Sequence, residues 1–191
     1  LEAAEKGRIP HLIEEKDIQG IFHVHTGYSD GNMNIREIIK VCKILGYQYV
    51  GISDHSQAAA YANGLKEEDI IEQRKEIKKI NKSLNGFKIF HGIEADILPD
   101  GKIDYSSKIL SGFDFVIASV HSNFTMGEKE MTARIIKAIE NPYVTMLGHP
   151  TGRLLLAREP YSVNLKEVID VAASHNVIIE LNANPHRLDL D

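Results

Sequence analysis

The stretch "GIFHVHTGYSDG", residues 20–31, decides how the rest of the chain is read. It opens as a short apolar strand and carries two histidines, His23 and His25, two positions apart. In a regular strand, side chains at i and i+2 point to the same face, so both imidazoles are expected on one side. Two buried imidazoles with no polar partner would cost several kcal/mol. The pair therefore calls for company, and Asp30 in the loop that follows is the first candidate.

Outward from this stretch, strand-like and helix-like runs alternate. Strands are predicted at 20–25, 47–54, 87–97, 113–121, 143–150 and 177–184, each rich in Val, Ile, Phe or Tyr and bounded by turn residues. Helices are predicted at 34–45, 66–84, 127–140 and 164–175, with a short one at 105–111. Asn34 with Glu37, and Asn164 with Glu167, have the spacing of helix N-terminal caps. Strand-helix alternation repeated six times argues for parallel strands with helical crossovers. The near-continuous apolar strands fit a sheet covered on both faces.

The polar residues choose between an open sheet and a barrel. After His23 and His25 come His55 at the end of the second strand, Glu94 near the end of the third, His121 at the fourth and His149 at the fifth. The sixth carries Glu180, Asn182 and Asn184. An open sheet concentrates chemistry at one switch point, whereas a parallel barrel gathers it from the ends of many strands. The even spread favours a barrel. His91, three residues before Glu94, falls on the opposite strand face and is read as lying under a helix, not as a ligand.

Imidazole and carboxylate donors without thiolate suit Zn, Mn or Fe. A catalytic zinc takes about three protein ligands. Seven candidates (His23, His25, Asp30, His55, Glu94, His121 and His149) imply two or more divalent metals, an arrangement suited to phosphoester cleavage. Arg153, just after His149, is a candidate for holding a phosphate bidentately.

The 191 residues suffice for one domain, with ordinary hydrophobic (43%) and charged (26%) fractions. No apolar run is long enough for a membrane span, and the first residues lack the apolar core of a signal peptide. A single cysteine, Cys42, excludes an internal disulfide and fits a reducing, cytoplasmic compartment; its apolar helix face makes it a buried thiol. A net charge of −5 argues against a broad basic nucleic-acid surface, although bound cations would change that balance.

The segments "HVHTGYSDG", "SDH", "GIEAD", "SVH" and "GHP" resemble, in order, the metal-binding motifs of the PHP (polymerase and histidinol phosphatase) family. "IPHLIEEKDIQGIFHVHTGYSDG", "GIEADILPDGKIDY" and "ELNANPHRLDLD" more narrowly resemble the PHP domain at the C-terminus of bacterial and archaeal family-X DNA polymerases. The resemblance implies an α/β fold, a distorted seven-stranded (βα)7 TIM-like barrel with two or three divalent metals. Residues 1–18 would be a lead-in and 19–191 the phosphoesterase domain. It implies hydrolysis of phosphate esters by metal-activated hydroxide, in the family-X setting at DNA 3′ ends; Glu94, His55 and, from its place after His149, Arg153 are the catalytic candidates. It makes His23 and His25 ligands of one metal, with Glu94 bridging to a second. Asp30, His55 and His121 would share the second and third metals, and His149 would complete one of them.

The family's last motif, an Asp-x-His on a seventh strand, does not occur before Asp191, and Asp189 and Asp191 do not stand in for it. The chain reads as a fragment, with neighbouring sequence such as polymerase domains on either side. Two rivals follow: a free-standing histidinol-phosphatase-like enzyme, and a non-catalytic scaffold. An amidohydrolase-type hydrolase also begins with His-x-His but fits His55 and the early Glu94 poorly.

Overall fold

A computed structural model describes residues 2–190. Six parallel strands lie in sequence order: β1 (Gly20–Val24), β2 (Tyr49–Ile52), β3 (Lys88–Asp96), β4 (Phe115–Ser119), β5 (Met146–Leu147) and β6 (Ile178–Ile179). Helices fill the crossovers: α2 (Ile35–Ile44), α3 (Glu67–Asn81), α4 (Ser107–Leu110), α5 (Glu128–Ile139) and α6 (Leu165–His175). A short α1 (Glu2–Glu5) precedes the sheet. Residues 2–19 are exposed throughout, Ile9, Leu12 and Ile13 included.

The helices form where the sequence places them, for local reasons. The Asn34 side chain accepts from the backbone N–H groups of Arg36 and Glu37, while Glu37 returns a bond to the Asn34 N–H. Asn164 caps α6 through the Glu167 N–H. Their apolar faces cover the sheet in two clusters. Ile35, Ile38, Ile39, Cys42, Ile77 and Ile80 pack on Val50, Ile52 and Ile89. Met131, Ile135, Ile139, Val168 and Ala172 pack on Ile93, Val116, Ala118 and Leu147.

The sheet curls into a half-barrel. β1 and β6 are its edges, and no seventh strand joins them among the described residues. They are linked at their C-terminal ends by side chains: His23 Nδ1 lies 2.6 Å from Glu180 Oε1. The lower interior is filled by Phe22, Tyr49, Phe90 and Phe115, with Phe22 and Phe115 edge-to-face at 4.9 Å. Gly51 and Gly92 make room for them, since a Cβ at either would stand 2.2–2.3 Å from a Phe ring carbon. This aromatic floor lies one side-chain layer below Glu94.

The last two strands are shorter than the runs 143–150 and 177–184. His149 has φ +23° and Pro150 follows it, so the chain turns out of the ladder after Leu147. Beyond β6 the chain folds back, with Asn182 bridging Asp189.

Candidate metal centre

All seven candidate ligands line one cleft of about 1010 Å³ at the C-terminal end of the sheet. At its base is Glu94, which is 1% exposed. Its Oε1 lies 2.9 Å from His23 Nε2, 3.1 Å from His121 Nε2 and 2.9 Å from His149 Nε2. Its Oε2 lies 3.3 Å from His25 Nε2 and 3.0 Å from His55 Nδ1. One carboxylate thus faces five imidazoles brought from β1 and the ends of β2, β4 and β5.

Three of these imidazoles have a second carboxylate behind them. His23 Nδ1 meets Glu180 Oε1, His121 Nδ1 meets Asp96 Oδ1 at 2.5 Å, and His25 Nδ1 meets Asp30 Oδ1 at 2.8 Å. A neutral imidazole has one N–H and one lone pair. With carboxylate oxygens at both nitrogens, it can satisfy both only when protonated. Burial lowers the His23 pKa, but the Glu94 charge and the hydrogen bond to Glu180 overcome burial and raise it to about 10. His121 is raised to about 9, Glu94 and Asp96 outweighing burial. Burial pushes the Glu94 pKa up, and His23 and His121 override it, holding the carboxyl well below its usual range. Burial instead wins at His55, lowered to about 4, and at His149, also lowered.

The residues fit divalent cations. His55 Nδ1 is buried and lies 3.0 Å from Glu94 Oε2, yet it makes no hydrogen bond. Its lone pair and a carboxylate oxygen face one point from two sides. Ligand atoms about 2.0 to 2.1 Å from a tetrahedral metal stand about 3.3 Å apart, and the separations around Glu94 are 2.9–3.3 Å. Two groups have ligand atoms close enough to share an ion: His23, Glu94 and His149; and His25, His55 and Glu94. Glu94 is common to both, one oxygen to each. The grouping pairs His23 with His149 and His25 with His55, so the His-x-His pair is split between them.

The backbone explains how adjacent strand residues reach the cleft. His23 has φ +62°, and the β1–β2 register shifts between Ile21 and Val24. This irregularity lets the adjacent Phe22 and His23 both face the interior; His23 and His25 then flank Val24, which packs against the helices, so the two histidines share the cleft as strand alternation predicts. His149 approaches over Gly148, where a Cβ would stand 2.4 Å from Ser119 Oγ. The His149 N–H donates to Glu180 Oε2 at 2.6 Å.

The loop bearing Asp30 hangs on Asp54, which is fully buried. Asp54 accepts from Thr26 N, Thr26 Oγ1 and Ser29 Oγ, and from Gln73 Nε2 on α3. His91 lies beneath the same helix, its Nε2 3.1 Å from Gln73 Oε1. Arg153 does not line the cleft; its guanidinium donates to the carbonyls of Arg187 and Leu188. The arginine that lines the cleft is Arg187. Asp189 is buried and accepts from the Thr151 N–H, away from Glu94, and Asp191 falls outside the described residues. Sequence reasoning missed Asp96 and Asp54. Asp96 had a usable signal, since it stands two residues after Glu94 and so on the same strand face.

The chain that builds this curled sheet and its His and Glu constellation matches the PHP domain family model over residues 22–184, and it belongs to that family. It is 45% identical over 179 residues to the DNA polymerase/3′-5′ exonuclease PolX of Bacillus subtilis, covering 94% of this chain and 31% of that protein. A probable phosphatase of Caldanaerobacter subterraneus is 33% identical over 110 residues, 56% of this chain and 41% of that one. The chain thus spans about a third to two fifths of the length of these two relatives. Its fold is similar to the crystal structure of histidinol phosphate phosphatase from Lactococcus lactis, complexed with zinc, L-histidinol and phosphate. The TM-score is 0.62 at 18% identity, over 86% of this chain and 73% of that one.

Proposed function

We propose that the chain is a metal-dependent phosphoesterase, with residues 19–191 as the catalytic domain and residues 1–18 as a lead-in. One observation carries this reading: a single buried carboxylate, Glu94, divides five imidazoles between its two oxygens. Two or three divalent ions, Zn, Mn or Fe, are held by His23, His25, Asp30, His55, Glu94, His121 and His149. When bound, such ions supply Lewis acidity toward a phosphoryl group and a nucleophile at neutral pH. The protein's own part is orientation. Glu180 and Asp96 fix the His23 and His121 rings from behind, as carboxylates behind ligating histidines do. The aromatic floor closes the lower end of the half-barrel, so substrate enters from the strand C-termini.

The substrate is a phosphate ester at a DNA 3′ end, and polymerase domains accompany this one in the longer protein. The likeness to the Bacillus subtilis relative over 94% of the chain supports this choice. A small-molecule phosphatase is the second reading, supported by the probable phosphatases among the relatives. Hydrolysis of p-nitrophenyl phosphate and of a 3′-recessed DNA duplex, with Mn²⁺ or Zn²⁺, tests the proposal. Turnover of DNA ends above that of histidinol phosphate supports the first reading and the reverse ratio the second. Turnover of none overturns both.

A further inference from the structure

One aromatic side chain at the mouth of the cleft is unexplained by packing or by the metal centre. Tyr61 is 71% exposed, yet it lines the cleft, with its ring centroid 5.9 Å from that of His55. It rides on a single 3₁₀ turn (Ala60–Ala62) in the loop between β2 and α3. That loop is firmly held. Ala59, Ala62 and Leu65 are buried, the Ser56 N–H donates to the Glu94 carbonyl, and the Leu65 N–H donates to the His55 carbonyl. The Tyr105 hydroxyl bonds to the Leu65 carbonyl and accepts from the Gln57 N–H. A rigid support thus presents a large flat ring to solvent beside a metal ligand, where burial gives it no reason to be.

A second feature of the same cleft is Arg187, from the turn after β6. Its backbone is fixed by Asn184 and by the Arg153 guanidinium. Its side chain lines the cleft together with Tyr61 and His149, and its Nη1 donates to the Arg153 carbonyl at 3.4 Å. The cleft therefore offers a π face and a guanidinium around one set of metal ligands. A nucleotide has the matching parts, a base with a π face and a phosphate, within one residue's length.

We propose that Tyr61 is a stacking platform for the nucleobase of the nucleotide whose phosphate enters the metal centre, with Arg187 as the phosphate anchor. This rests on the phosphoesterase reading and specifies its substrate class. Tyr61 is a positioning residue: it orients the nucleotide and takes no part in bond breaking. The phosphate-holding role expected of Arg153 passes to Arg187, which Arg153 braces.

The test compares wild type, Tyr61→Ala, Tyr61→Phe and Arg187→Ala with Mn²⁺ present. The substrates are an oligonucleotide ending in a 3′ thymidine and the same strand ending in an abasic residue. Thymidine 3′-monophosphate and its abasic counterpart form the second pair. The base-to-abasic ratio of kcat/KM should fall about tenfold or more in Tyr61→Ala, mainly through KM, because stacking carries that preference. Tyr61→Phe should restore the ratio, since the ring suffices. Arg187→Ala should weaken base-bearing and abasic substrates alike. A loss confined to the oligonucleotide pair assigns a strand end, and one confined to the mononucleotide pair assigns a free nucleotide. An unchanged ratio in Tyr61→Ala, or no rescue by Phe, overturns the platform. If wild type hydrolyses nothing, the phosphoesterase reading fails. Fluorescence anisotropy of the labelled strands then decides the platform by the same base-to-abasic ratio in Kd.

Discussion

Two buried carboxylates stand on neighbouring strand ends, and they are held in opposite ways. Asp54, after β2, is surrounded by donors whose protons are fixed: a backbone N–H, two hydroxyls and an amide. Glu94, on β3, is surrounded by five imidazole nitrogens, whose protons are exchangeable. Asp54 is satisfied as it stands and has no use for a cation. Around Glu94, the charge balance is met only by protons on rings such as His23 and His121, or by metal ions in their place. Burial alone does not mark a functional carboxylate; the chemistry of its partners does.

Substitution should separate the two sharply. Glu94→Gln keeps the shape but removes the charge. The imidazoles can then shed protons, so the fold should survive while metal binding and turnover collapse. Loss of the carboxylate common to both candidate ligand groups should lower phosphoesterase turnover roughly a thousandfold or more, the scale of several kcal/mol of charge stabilisation. Metal content per chain and hydrolysis rate, read against an unchanged circular dichroism spectrum, check this. A Glu94→Gln protein that still binds two metals would break the comparison.

Asp54→Ala should show the converse, a stability loss of about 3 to 4 kcal/mol, because four buried donors lose their acceptor at once and cannot shed their protons. Denaturant unfolding measures it. Metal content should fall less than in Glu94→Gln, since the side-chain partners of Asp54 are Thr26, Ser29 and Gln73, none of which belongs to the His23–Glu94–His149 group. Equal metal loss in both variants would mean that the loop and the ligand cluster are one cooperative unit.

The sequence carried most of the fold and part of this contrast. The strand and helix order, the Asn34 and Asn164 caps and the gathering of His23, His25, His55, Glu94, His121 and His149 at one end were all legible. They rest on periodicity and on what each strand end carries. Asp54 and Glu94 were not separable by environment, because what distinguishes them is the donors that a loop and α3 bring from elsewhere in the chain. The shortening of β5 and β6 and the irregularity at His23 depend on local backbone conformations, φ +23° at His149 and +62° at His23, that residue type does not encode. Tyr61 was invisible for a simpler reason: an aromatic in a loop reads as packing until its exposure is known.

The hydrogen-bonded chain Asp54–Gln73–His91 extends the comparison to pH. Burial, reinforced by the charge of Arg74, lowers the His91 pKa to about 4, against a partial opposing effect from Asp114. The folded-state value lies below the unfolded value of about 6.5, so His91 contributes fully above pH 6.5. The contribution is lost as pH falls toward 4. The loss should reach about 3 kcal/mol across that window. His91→Asn should flatten this part of the stability profile, measured as the difference from wild type in urea titrations at pH 4.5 and 7. A parallel profile in the variant would show that His91 does not drive it.

The smallest effect should come from behind the ligands. Glu180→Gln and Asp96→Asn leave Glu94 and all five imidazoles in place but remove the carboxylates that orient His23 and His121. An amide can still accept one hydrogen bond, so the rings keep a partner, but the negative charge that strengthens the imidazole as a donor to metal is gone. Metal affinity should drop by about 10- to 100-fold in each variant. Glu180→Gln should also loosen the link between the two edge strands, because Glu180 accepts from the His149 N–H as well. If so, Glu180→Gln costs unfolding free energy that Asp96→Asn does not. Competition with a chelator of known affinity and parallel denaturant curves separate the two effects. Equal stability in the pair would mean that the sheet's opening is held by something other than the His23–Glu180–His149 bridge.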